Sequence, residues 1–340
     1  MNSVDSRPVK IFDTTLRDGQ QCPGAAMSFE NNIRYFQLAA AMRVDILEAG
    51  FPAASALDFE IVRTIAEISA EMESSPIIAA LCQLRREQVE RTIEALKPLV
   101  HTGKGRLHTY VPVDPELMQA SLGSYTEKPE SIIEDVYELT KMAKEAGLEV
   151  QFSPEGYSRM GENFQFTFEL IKAAVEGGAT IINCPDTIGG ASQLQGADYF
   201  VEHMKEHRRM IEEIFPDREI CWSVHCHNDY GLAVQNTINA VFEGAATQIE
   251  GCMNGVGERA GNAALEQCIM IIDQFGKQPG DRGFCVHTDA RLDRIQEVSD
   301  FIAEHMLKRQ PHWPVTGDNA ARHSSGGHTN AILKNPMAYQ

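Results

Sequence analysis

The chain has 340 residues, above the usual size of one domain but right for an α/β barrel of about 250 residues with a short extension. Hydrophobic residues make up 43%, enough for a large core, which argues against disorder. With 30 Lys+Arg against 48 Asp+Glu the formal charge is −18, a surface that repels nucleic acid and anionic membrane, so neither is expected as a partner.

Short β-rich runs alternate with longer amphipathic ones. Strands are expected near 9–15, 44–50, 76–81, 105–113, 149–155, 180–186, 221–227 and 248–254. Helical patterns follow them at 28–42, 56–73, 85–98, 126–146, 160–177, 190–212, 230–244 and 259–276; Leu139, Met142 and Ala143, for example, recur at i, i+3, i+4. Eight strand–helix units in series imply parallel strands, and eight is the number that closes a barrel. An open doubly wound sheet would want a phosphate-binding GxGxxG after its first strand, and the chain has none there. The rhythm breaks after 280: a helical run at 290–308 is followed by Pro311, Pro314 and Gly317 and then by HSSGGHTNAILKN. The expected architecture is therefore a (β/α)8 TIM barrel over 1–280, with a short, mainly helical C-terminal extension over 281–340 and no regulatory domain. Cys22, Cys82, Cys184, Cys221, Cys226, Cys252, Cys268 and Cys285 form no CxxC pair. Without a secretory h-region or an apolar run near the roughly 20 residues of a membrane span, they read as free thiols of a cytoplasmic protein.

In a TIM barrel, function gathers where strands end and βα loops begin. Here those ends carry Arg17 and Asp18, Glu48, His108, Ser153 and Glu155, Asn183, Asp186 and Thr187, His225 and His227, then Glu258 and Asn262. A purely structural barrel would not need so many polar ends. His225 and His227 stand at i and i+2 of a strand, so both imidazoles can face one ion, while Cys226 between them points to the helices as a core thiol. Asp18 completes a two-His-one-carboxylate set with open positions, and Asn262 can add an amide oxygen. Arg17 is a cation placed to meet negative charge on a carbonyl oxygen, and a bidentate pair with Glu48 would hold it. The glycines of GVGERAGN (255–262) can bring backbone N–H groups toward an acyl or phosphate group.

Taken together, DTTLRDGQQCPG (13–24), ILEAGFP (46–52), LHTYV (107–111), FSPEGYSR (152–159), NCPDTIGG (183–190), HCHNDYGLAVQNTINAVFEGA (225–245), NGVGERAGNAALE (254–266) and HSSGGHTNAILKN (323–335) resemble the acyl-CoA-condensing branch of the DRE-TIM metallolyase superfamily. Within that branch the pattern is most like the 2-isopropylmalate synthases. The resemblance assigns the superfamily's Asp-Arg-Glu signature to Asp18, Arg17 and Glu48, and the metal to Asp18, His225 and His227 with Asn262 nearby. It places His108, Ser153, Glu155 and Thr187 against a 2-oxo acid. His328 matches a histidine that enters the partner subunit's active site, implying a homodimer with shared sites. The implied activity is an acyltransferase reaction of leucine biosynthesis: a metal-dependent Claisen-type condensation of acetyl-CoA with 2-oxoisovalerate, giving 2-isopropylmalate and CoA. Mg2+ or Mn2+ is the expected ion, with Zn2+ as the softer alternative. Glu258 and His328 are both candidates for the general base. Homocitrate or citramalate synthases, lyases of the 3-hydroxy-3-methylglutaryl-CoA type, and an inactive binding protein are the alternatives. The segment at 323–335 speaks against the lyases, which lack it, and Ser153 leaves room for a branched acceptor. The chain departs from the family pattern at Gln20, where Glu is usual, at Gly156, and at Thr329-Asn330-Ala331. CoA is an anion, so on so acidic a chain its site must carry local cations.

Overall fold

The computed structural model describes residues 6–338. In chain order these form β1 (Ser6–Pro8), β2 (Lys10–Asp13), α1 (Phe29–Met42), β3 (Ile46–Glu48), α2 (Ala56–Glu71), β4 (Ile77–Gln83), α3 (Arg86–Ala95) and β5 (Gly105–Pro112). There follow α4 (Pro115–Leu122), α5 (Pro129–Glu145), β6 (Glu149–Glu155), α6 (Phe164–Gly177), β7 (Ile181–Asp186), α7 (Phe200–Ile214) and β8 (Cys221–Cys226). The chain ends with α8 (Ala233–Phe242), β9 (Gln248–Gly251), α9 (Leu265–Phe275), β10 (Cys285–His287), α10 (Ile295–His305) and α11 (Gly326–Lys334). Strands β2 to β9 close a parallel eight-stranded barrel, with Lys10 to Asp13 of β2 registered against Gln248 to Gly251 of β9. This is the TIM barrel expected from the eight repeats.

Residues at alternate positions along a strand face opposite sides, and although both faces are buried the two differ in character. Leu107, Val111, Phe152, Cys184, Val224 and Cys226 belong to the large apolar core shared with the helices. On the other face, Phe12, Ile46 and Ala79 form a small separate apolar cluster. The rest of that inner face is polar. Arg106 is completely buried, donating to Gln151 and Gln248 at 3.0 Å each and pairing with Glu149 at 2.8 Å. This stack of paired polar side chains leads upward into the mouth.

Three helices begin four or more residues later than their apolar pattern alone suggests. The expected 190–212 helix starts at Phe200, because Gly196 takes φ 61° and Tyr199 is extended, leaving a long loop above β7. The expected 259–276 helix starts at Leu265, because residues 257–264 turn back over the mouth and bridge His227 to Asn262. The expected 160–177 helix begins at Phe164 after two tight turns. One helix was not expected: α4, whose signal was Asp114 capping the Leu117 N–H at 2.9 Å with Pro115 in the first turn.

Beyond the barrel, β10 pairs in parallel with β1, and α10 buries Ile295, Val298 and Ile302. Trp313 Nε1 donates to buried Glu266 at 2.7 Å, and Thr316 is buried against Ser299 at 2.9 Å. The extension thus leaves the body after Thr316, later than its prolines suggest. Its end is helical, and α11 has no buried residue. Among the described residues no helix is long and apolar enough to cross a membrane, and all eight cysteines are free thiols.

Candidate active site

The barrel strands deliver their last inward-facing residues to one cavity of about 260 Å³ at the C-terminal mouth. Its wall includes Arg17, Asp18, His108, Ser153, Glu155 and Thr187, together with His225, His227 and Glu258. Residues from six strands and their loops, expected separately from sequence, therefore meet around one space.

A continuous hydrogen-bonded chain runs along its floor. Asn183 Nδ2 donates to Ser153 Oγ at 2.9 Å, and Ser153 Oγ lies 2.7 Å from His108 Nε2. His108 Nδ1 is 2.6 Å from Glu48 Oε1, so that nitrogen carries the proton and Nε2 accepts from the serine. Glu48 Oε2 accepts from Arg17 Nε at 2.6 Å, and Arg17 NH1 donates to Asp18 Oδ2. The expected bidentate Arg17–Glu48 fork is therefore not what forms. His108 takes the second oxygen of Glu48, and the guanidinium bridges two carboxylates instead. Burial would raise the Glu48 carboxyl, but Arg17 and His108 outweigh it and hold it at about 2. The same competition leaves Asp18 far below the usual carboxylate range and Arg17 above the usual guanidinium range.

Asp18, His225 and His227, all buried, offer one ligand atom each within 4.8 Å of one another. Asn262 reaches the group from the loop above α9, donating its Nδ2 to Asp18 Oδ1 at 2.8 Å. The residues fit a metal ion on an internal test: His227 Nδ1 and Asn262 Oδ1 are buried without hydrogen-bond partners, and such atoms are costly unless something engages them. Burial lowers both imidazoles, His225 to about 3, so they stand neutral with lone pairs available. Cys226 lies in the outer core, as expected.

The Gly-rich loop closes partly on itself. The N–H groups of Gly255, Gly261 and Asn262 are bonded within or beside the loop, to Cys252, Glu258 and Gly255 carbonyls. The glycines make room: a Cβ at Gly257 would stand 2.2 Å from Asn262 Nδ2, and one at Gly261 2.0 Å from the Gly255 carbonyl oxygen. Glu258 lines the mouth with its side chain about half exposed. Glu155 is raised by burial, with Arg17 opposing and Asp114 and Glu258 reinforcing the shift. Thr187 also latches a loop, accepting from the Gly156 N–H at 2.9 Å.

Gln21, Leu81, Tyr110, Pro185 and Arg259 line the cavity without having been singled out. Arg259 forks Asp229 at 2.8 and 3.0 Å and donates to the Thr187 carbonyl at 2.7 Å, a local cation of the kind an anionic substrate needs. Its place in the GERAG turn was the available signal. Tyr110 and Leu81 could have been found by counting two residues from His108 and to its neighbour in register. His328 is not in the wall of its own chain's cavity; it sits on exposed α11, its ring 5.7 Å from that of His323.

Residues 8–302 match the family model described as HMGL-like. Over 337 residues the chain is 36% identical to a 2-isopropylmalate synthase of Heliobacterium modesticaldum, covering 98% of this chain and 61% of that protein. It is 37% identical over 339 residues to the one named so in Pyrococcus abyssi (98% and 64%), and 35% over 341 residues to that of Saccharolobus solfataricus (99% and 79%). The chain thus spans under two thirds of the first two relatives' length. In fold it is similar to the HMG-CoA lyase of Bacillus subtilis, with a TM-score of 0.67 at 17% identity over 88% of this chain and 94% of that one.

Proposed function

The chain belongs to the HMGL-like, or DRE-TIM, family, and from that premise we propose that it condenses acetyl-CoA with a 2-oxo acid, most specifically 2-oxoisovalerate to 2-isopropylmalate. The observation that carries the reading is the hydrogen-bonded chain Asn183–Ser153–His108–Glu48–Arg17–Asp18, which ends beside the two histidines. The name shared by the relatives supports 2-oxoisovalerate, and small Ser153 supports a branched acceptor.

Asp18, His225 and His227, with Asn262 beside them, are the residues that would hold a divalent ion, which when bound polarises the 2-oxo carbonyl as a Lewis acid. Carboxylate and amide oxygens favour hard Mg2+ or Mn2+ over Zn2+. Arg17, pinned by two carboxylates, meets the negative charge that develops on the acceptor's carbonyl oxygen, without reorganising. His108 and Ser153 position the acceptor, with Glu155 and Thr187 on its far side. A base takes a proton from the acetyl methyl carbon, the resulting carbanion adds to C2 of the 2-oxo acid, the carbonyl oxygen takes up a proton to become the hydroxyl, and water cleaves the thioester to a carboxylate and the free CoA thiol. Glu258 is the base a single chain can supply. His328 on exposed α11 fits a role in a second copy, making the protein a homodimer with shared sites. On this reading residues 1–280 are the catalytic unit and 281–340 the extension that carries His328.

The test is to supply acetyl-CoA, Mg2+ or Mn2+ and a panel of 2-oxo acids, and to follow free thiol. Thiol release is expected with 2-oxoisovalerate and its loss on chelation. Release only with another 2-oxo acid would move the acceptor, and none with any acceptor would reject the condensation. Full turnover in verified metal-free protein would reject the ion's role.

A further inference from the structure

Strand β9 places Glu250 inside the barrel, completely buried beneath the histidine pair. Its two oxygens have unlike surroundings. Oε1 accepts from Ser223 Oγ and Gln151 Nε2 at 2.7 Å each, and from Gln248 Nε2 at 3.2 Å. Oε2 has no hydrogen-bond partner. The polar atom it faces is His225 Nδ1, 3.8 Å away and also buried without a partner. Across the same ring, His225 Nε2 lies 3.6 Å from Asp18 Oδ2. An unmet acceptor and an unmet ring nitrogen side by side in a dry interior each carry a desolvation cost, which one hydrogen bond between them removes.

We infer that Glu250 is a positioning residue for the metal ligand: its Oε2 accepts the Nδ1–H of His225, which leaves Nε2 as the unprotonated nitrogen turned toward Asp18. The inference rests on the reading of Asp18, His225 and His227 as metal ligands. A ligating imidazole ordinarily gives its other N–H to a carboxylate or carbonyl, which sets tautomer and ring angle together. Here the two oxygens divide the tasks. Oε1, held by three donors, fixes the carboxylate to the polar stack of the barrel. Oε2 is left for the histidine.

Glu250→Gln separates a positioning role from a bracing one. The amide oxygen can still accept from Ser223, Gln151 and Gln248, while the amide NH2 turns a donor toward His225 Nδ1. That favours the tautomer protonated on Nε2, the wrong nitrogen for an ion. The experiment is calorimetric titration of the full chain with Mn2+ alone, for wild type, Glu250→Gln and Asp18→Ala. Glu250→Gln should stay folded by circular dichroism and bind Mn2+ about 10- to 100-fold more weakly than wild type. A folded Glu250→Gln within about twofold of wild type, while Asp18→Ala loses binding, would overturn the role of Glu250 and leave the metal site standing. Wild type that takes up no Mn2+, or Asp18→Ala that binds like wild type, would overturn both. Should Glu250→Gln not fold, 15N-histidine spectra of the wild type with Mg2+, assigned by the loss of one signal set in His225→Gln, decide the matter. His225 protonated on Nδ1 supports the inference and protonation on Nε2 overturns it.

Discussion

Arg17 illustrates how one side chain can depend on two others. Its guanidinium reaches Glu48 through Nε and Asp18 through NH1, so its direction is set by a geometry that only a planar, forked cation spans. Arg17→Lys keeps the charge and loses the bridge. Its kcat should fall by about 10²–10³, the usual loss for one donor to a developing oxyanion, with a much smaller change in KM for the 2-oxo acid. Steady-state kinetics within about twofold of wild type would contradict the donor role. A second residue bears on acid stability. His207 is buried, stacked on Phe164 at 4.1 Å between ring centroids; its Nε2 lies 3.2 Å from the Phe164 carbonyl oxygen and its Nδ1 2.8 Å from the Tyr157 hydroxyl. The ring donates through Nε2 and accepts through Nδ1, so it sits neutral. Burial lowers its pKa from 6.5 to about 4. The unfolded chain therefore takes up the proton first, and the stability His207 contributes is complete above pH 6.5 and lost as pH falls toward 4. Over that window the loss amounts to roughly 3 kcal/mol. Urea unfolding at pH 7 and pH 5 should show a larger loss for wild type than for His207→Gln, by roughly 2 kcal/mol. Equal losses would rule this out. Neither partner of His207 was legible in the sequence, because Tyr157, Phe164 and His207 come from three separated segments.

At the scale of the element, the loop over the mouth matters most. Residues 254–262 carry Glu258 and Asn262, and are tied down from both sides. Asn254 takes a bond from its own N–H to Glu266 Oε2 at 2.9 Å, and its Nδ2 donates to the Ser299 carbonyl at 2.9 Å. Trp313 holds the other oxygen of Glu266. The sequence showed the glycines; the fold shows that those at 257 and 261 give clearance to the Asn262 amide and the Gly255 carbonyl. Gly257→Ala should accordingly push the Asn262 amide away from Asp18, weakening Mn2+ binding about tenfold or more while moving the thermal midpoint by only a few degrees. Calorimetry and a melting curve check this, and unchanged affinity would show that the loop yields around the new methyl group. The late starts of α6, α7 and α9 belong to the same scale. Apolar residues at helical spacing continue into the loops that precede them, but Gly196 and the Gly257–Gly261 turn redirect the backbone where the barrel mouth needs coverage rather than another helical turn.

For the whole molecule, the consequential feature is a barrel whose cavity lacks His328 and an arm whose last helix has no buried residue. If a second copy receives that arm, mixing His328→Ala with Asp18→Ala and allowing subunits to exchange should restore activity, since one of the two sites in a mixed dimer is complete. No recovery despite demonstrated exchange would refute sharing, because each chain would then use its own His328. Sequence alone determined the eight-fold alternation and so the barrel, because strand and helix periods and the length of a parallel crossover are local properties. It also determined which polar residues stand at the strand ends, since position along a strand is a matter of counting. Only the tertiary structure decided how those residues pair: that His108 takes the oxygen of Glu48 expected to belong to Arg17, that Asn262 comes back over Asp18, and that Glu250 stands beneath His225. Those partners lie between 25 and 244 residues apart along the chain, and it is the closing of eight parallel strands into one barrel that turns them toward one another.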